Sequence, residues 1–67
     1  MTWEELCEKA KEVTQFHCFI NEYCIEFERR FVFFKDGEVC INGYGDDCIV
    51  ARDRTYDQMY QIMEALR

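Results

Sequence analysis

The dipeptide Asp36-Gly37, set between Phe31-Val32-Phe33-Phe34-Lys35 and Glu38-Val39-Cys40-Ile41, constrains this chain more than any other stretch. Asp-Gly flanked by aromatic and β-branched residues is a strong β-hairpin signal, because a two-residue type I′ turn needs positive φ at both central positions. Such a turn pairs Lys35 with Glu38, Phe34 with Val39, Phe33 with Cys40 and Val32 with Ile41. Side chains alternate along a strand, so Val32, Phe34, Val39 and Ile41 share one apolar face. Phe31, Phe33, Lys35, Glu38, Cys40 and Asn42 share the other, mixed face. An element with one apolar face must bury it against another layer.

The flanking sequence supplies that layer. Thr2-x-x-Glu5 and Thr55-x-x-Gln58 both have the capping-box form that opens a helix. After the first, Trp3, Leu6, Cys7, Ala10 and Val13, with Thr14 at the end, recur at helical spacing, leaving Glu4, Glu5, Glu8, Lys9, Lys11 and Glu12 to solvent. This helix should stop near Gln15 or Phe16. After the second box, Tyr56, Met59, Tyr60, Met63 and Leu66 form a stripe with Ile62 beside it. Asp57 in its first turn and Arg67 at its end suit the helix dipole. Tyr23 to Glu28 alternates as a half-buried strand, with odd positions apolar. Because the hairpin reads as even positions inward, the chain should reverse or bulge at Arg29-Arg30. Phe16 to Glu22 is a connector with some strand character, Asn42 to Asp47 a glycine-rich loop, and Cys48 to Ala51 a last short apolar strand.

The expected fold is therefore α+β over residues 1–67 as a single domain. It is a two-layer sandwich, an antiparallel meander of three to four strands with the N-terminal and C-terminal helices on one face. On this reading both helices sit on Val32, Phe34, Val39 and Ile41, and Phe34→Ala should unfold the domain.

Composition narrows the function classes. The chain is 49% hydrophobic and 16% aromatic, which favours a packed globule over a disordered segment. A net charge of −6 disfavours nucleic-acid backbones and anionic membranes, which call for a basic footprint. The order helix, antiparallel strands, helix is similar in outline to double-stranded RNA-binding domains. Those carry lysines at the start of their second helix, where this chain has Thr55-Tyr56-Asp57-Gln58. Its local basic concentration is Arg29, Arg30, Arg52 and Arg54, read as pairing with carboxylates such as Glu28 and Asp53. The odd count of five cysteines and an acidic N-terminal start, Met1-Thr2-Trp3-Glu4-Glu5, point to reduced thiols and a cytoplasmic protein.

Four candidate chemistries remain. His17, Cys18, Cys24, Cys40 and Cys48 are ligand types zinc accepts, though no paired C-x-x-C knuckle is present, and a Cys/His metal-binding module is kept as an alternative. A Cys–His nucleophile is disfavoured because His17 and Cys18, as sequence neighbours, diverge on either a helix or a strand. No enzymatic activity, cofactor or resident metal is therefore expected. Glu26, Glu28, Asp46 and Asp47 could instead present an acidic surface to a basic protein, as an inhibitor or mimic. The leading expectation is a protein-interaction module or homodimer. On this reading Phe31, Phe33 and Cys40 form an exposed aromatic centre on the mixed sheet face, extended by Tyr44. The competing structural expectation is that the Phe16 to Ile20 connector folds over these rings as a second, smaller core.

Overall fold

The computed structural model describes residues 1–13, 16–28 and 30–66. The helix stop expected near Gln15, the Thr14 end of its stripe, Arg29 of the expected Arg29-Arg30 turn, and Arg67 lie outside the described residues. Helix α1 (Trp3–Val13) opens on the first capping box: the Thr2 N–H donates to Glu5 Oε1 and the Glu5 N–H to Thr2 Oγ1, both at 3.1 Å. Helix α2 (Tyr56–Ala65) opens on the second: Thr55 N–H donates to Gln58 Oε1 at 2.9 Å and Gln58 N–H to Thr55 Oγ1 at 3.1 Å. Each box satisfies two N–H groups that a helix start leaves without intrahelical partners.

Between the helices runs a five-stranded antiparallel meander: β1 (Cys18–Ile20), β2 (Cys24–Phe27), β3 (Phe31–Phe34), β4 (Val39–Ile41) and β5 (Ile49–Ala51), adjacent in chain order. The α+β two-layer architecture with both helices on one face holds. The extra strand beyond the expected three or four is β1, formed within the Phe16 to Glu22 connector.

The hairpin register differs by one residue from the type I′ expectation. Phe33 pairs with Val39, Val32 with Cys40 and Phe31 with Ile41. The cause is local. Only Gly37, and not Asp36, takes positive φ (+105°), while Asp36 Oδ1 accepts the Glu38 N–H at 3.1 Å. Phe34 N–H then donates to the Glu38 carbonyl at 2.8 Å, which closes a three-residue loop over Lys35, Asp36 and Gly37. A one-residue change of register turns half of the paired side chains to the opposite face.

The floor beneath the helices is therefore Ile25, Phe27, Phe33 and Val39, with Phe31 and Ala51 at its margins. Trp3, Leu6, Ala10, Val13, Met59 and Met63 descend onto it from α1 and α2. The expected floor of Val32, Phe34, Val39 and Ile41 is corrected: Val32 and Phe34 lie on the opposite face. Parity also runs unbroken from β2 into β3, because Phe27 pairs with Phe31 across another three-residue loop. The inward odd positions of β2 thus continue into β3 with no reversal. At the other end, the pairing of Val39 with Ala51 and of Cys40 with Ile49 leaves Val50 as a bulge residue. Ile49 and Ala51 consequently face opposite sides of the sheet.

Candidate functional site

The face of the sheet without helices carries one row from Phe19 through Glu26, Val32 and Cys40 to Ile49, and a second in which Cys24 stands beside Phe34. Its centre is a small core of Cys24, Val32 and Cys40, with Phe34, Cys48 and Ile49 packed against it. The segment 42–48 folds over one end. Asn42 turns at φ +63°, the Cys48 thiol donates to the Asn42 carbonyl at 3.7 Å, and a turn of 3-10 helix (Asp46–Cys48) leads into β5. The Tyr44 ring meets the Phe34 ring edge-on with centroids 6.4 Å apart.

The four residues expected to form the binding centre are therefore divided. Phe33 is fully buried beneath the helices and Phe31 packs against the same core, so neither belongs to the open face. Cys40 is on the open face but buried at its centre. Tyr44 alone of the four is exposed, at 53%. A second, smaller core exists, but it consists of Cys24, Val32 and Cys40 instead of the expected Phe31 and Phe33 rings, and the segment 42–48 covers it in place of the connector. The connector's Phe16 instead reaches Phe31 at 6.4 Å, at the margin of the helix-covered core.

Phe19, a residue the sequence reading passed over, is 56% exposed on the open face, with the His17 ring 4.8 Å from its own. Counting parity forward from Ile25 and Phe27 through two odd-length loops puts Phe31, Phe33, Val39 and Ile41 on the helix side, whereas Phe19 lies across the even-length β1–β2 turn, where Ile20 pairs with Ile25 and the inward parity switches. The aromatic rim of the face is Phe19 on one side and Tyr44 on the other.

The charge around this rim is acidic. Glu26 sits half-buried in the central row, Asp46 and Asp47 are exposed in the covering segment, and Glu28 accepts the His17 N–H at 3.2 Å. Arg52 pairs with Glu38 at 2.6 Å rather than with its neighbour Asp53.

The Cys/His set kept as an alternative metal site is split between layers. Cys24, Cys40 and Cys48 lie on the open face, Cys18 packs against the helix-covered core, and His17 stands beside Phe19. Among the described residues, no three His, Cys, Asp or Glu side chains gather closely enough to hold a metal. All five thiols are free. Burial pushes the thiols of Cys7, Cys18, Cys24 and Cys40 above their ordinary value of 9.0. Next in weight come Glu4 for Cys7, Cys7 for Cys18 and Glu38 for Cys40, all raising; the Asn21 hydrogen bond opposes the shift at Cys24. At neutral pH these four remain thiols, and a thiol is a poor nucleophile.

The same shifts predict an alkaline loss of stability. A thiol whose folded value is raised contributes fully below its unfolded value and loses that contribution as pH rises through the folded one. Thermal melts taken from neutrality to about pH 10.5 should therefore decline once the ordinary thiol value is passed. The decline should be shallower in Cys40→Ala, and an identical slope in that variant would contradict the assignment.

No helix among the described residues is long and apolar enough to cross a membrane. No protein-family model matches the chain, and no curated protein or solved structure shows significant similarity to it.

Proposed function

We propose that this domain is a protein-interaction module whose docking surface is the helix-free face of its sheet. The observation that carries the proposal is the exposed aromatic pair, Phe19 and Tyr44, flanking a partly covered apolar centre on a face that no helix occupies. An apolar centre with a charged rim has the anatomy of a protein interface. Glu26, Asp46 and Asp47 at that rim favour a partner with basic groups, which brings the acidic-surface reading into the same site. Five free thiols suit a reducing compartment such as the cytoplasm.

The test is selection of binders from a random peptide library, followed by NMR shift mapping on the labelled domain. Perturbations are expected to cluster on Phe19, Glu26, Phe34 and Tyr44, and to vanish in a Phe19→Ser, Tyr44→Ser double variant. A map centred on α1 or α2 would overturn the assignment. Light scattering over a concentration series then identifies the natural occupant: doubling of mass that Tyr44→Asp abolishes makes it a second copy, and a monomer throughout makes it a foreign protein.

A further inference from the structure

A meander has two edges, and here they are unequal. Strand β5 is bulged at Val50, and the chain just beyond it is held by the Arg54 N–H donating to the Gly37 carbonyl at 2.9 Å. Bulges turn an edge away from further pairing. Among the described residues strand β1 has no such device: its three pairs with β2 run without a register shift, and Cys18-Phe19-Ile20 contains neither lysine nor proline.

Flanking hydrogen bonds fix which backbone groups of β1 are engaged. The Asn21 N–H donates to the Cys24 carbonyl and the Glu28 N–H to the His17 carbonyl, both at 3.1 Å. In an antiparallel ladder the bonded pairs alternate, so residues 17, 19 and 21 face β2. The N–H and C=O groups of Cys18 and Ile20 are thus directed away from β2, in the plane of the sheet.

We infer that β1 is a site of strand addition: an extended, basic segment of a partner protein pairs with the outward backbone groups of Cys18 and Ile20. The inference rests on the docking reading above and specifies its geometry. Backbone pairing supplies affinity in this mode, and alternate side chains supply specificity. Apolar residues of the incoming strand fall beside Cys18 and Ile20 on the helix side. Lysine or arginine residues fall beside Phe19 on the open side, stems over the ring and head groups toward Glu26. Charge selects this occupant. Glu22 and Glu26 have no basic partner among the described residues, and the Lys11 ammonium is paired with Glu8 at 3.3 Å. A second copy would bring another net charge of −6 against the same carboxylates.

The probe is a short capped peptide alternating lysine and valine, compared with a peptide of the same composition arranged in blocks, by NMR titration and amide hydrogen exchange on the labelled domain. The alternating peptide should bind and slow exchange at the Cys18 and Ile20 amides. Ile20→Pro removes an outward N–H without touching the β1–β2 bonds, and it should weaken binding about tenfold, the worth of one ladder hydrogen bond. If that variant melts early, the exchange protection in the wild type gives the same readout without it. Equal binding of the blocked peptide, or none of the alternating one, overturns strand addition and leaves the docking face to the library experiment. Perturbation centred on Val32 and Tyr44 with unchanged exchange at Cys18 and Ile20 overturns strand addition while supporting the face. Protection that grows with protein concentration alone, without peptide, makes the occupant a second copy and overturns the foreign strand.

Discussion

Phe33→Ala is expected to remove most or all of the domain's stability, whereas Phe34→Ala, one residue along, should leave a folded protein. Phe33 is 0% exposed, stands between Ile25 and Val39 in the sheet, and meets the Phe27 ring edge-on at 5.8 Å. Truncating a buried phenylalanine costs about 3–5 kcal/mol, part lost transfer energy and part the cavity left behind. A chain this short holds only roughly 3–10 kcal/mol in total at the usual stability per residue. The loss is therefore comparable to the whole. Phe34 is half-buried on the helix-free face, where its ring meets the exposed Tyr44, so its removal opens a groove that water fills instead of a void. Its cost should be about half or less of that at Phe33. Urea melts of the two variants beside the wild type decide the point. A Phe34→Ala midpoint at or below that of Phe33→Ala would return the core to the even face of the hairpin.

That contrast marks where sequence reasoning stops. Both helices were legible because their signals are local: Thr2 with Glu5 and Thr55 with Gln58 fall within one turn, and the Trp3, Leu6, Ala10 and Met59, Met63 stripes repeat at helical spacing. Which face of the hairpin the helices cover was not local. It depended on whether Asp36 would take positive φ. The structure instead has the Asp36 side chain hold the Glu38 N–H, with Gly37 alone crossing into positive φ. One residue of loop then decided the placement of Phe31, Phe33, Val32 and Phe34 together, and with it the membership of the candidate site. Strand β1 is only three residues long and two of them are exposed, too short for alternation to show. The inward face of Ile49 to Ala51 was undecidable for a definite reason: the bulge at Val50 gives the strand no single face. The exposure of Tyr44 was legible, since a lone aromatic between two glycines in a loop has no strand register to misassign.

Gly37→Ala should be the most damaging of the small-residue changes, and Gly45→Ala separates its causes. Both glycines hold φ values that side-chain-bearing residues rarely adopt, +105° and +97°, so each substitution carries backbone strain of about 1–3 kcal/mol. Their surroundings differ. A Cβ at Gly45 meets nothing within 4 Å, so strain is the full cost there. A Cβ at Gly37 lies 3.2 Å from the Arg54 nitrogen and from the Asp53 Cα, and 3.3 Å from the Arg54 carbonyl oxygen. These are backbone atoms, and Asp53 is itself held at φ +57°, so the crowding cannot be relieved by turning a side chain. Relief requires the hairpin tip to part from the segment joining β5 to α2, which breaks the Arg54 N–H bond to the Gly37 carbonyl. Each kcal/mol moves the melting midpoint by about 4–8 °C in a domain of this size. Gly37→Ala should therefore melt well below Gly45→Ala, with the gap measuring the contact rather than the conformation. Equal midpoints would mean that the hairpin tip is not anchored by that contact, and that the three-residue loop, with the face assignment it enforces, is set within the hairpin alone.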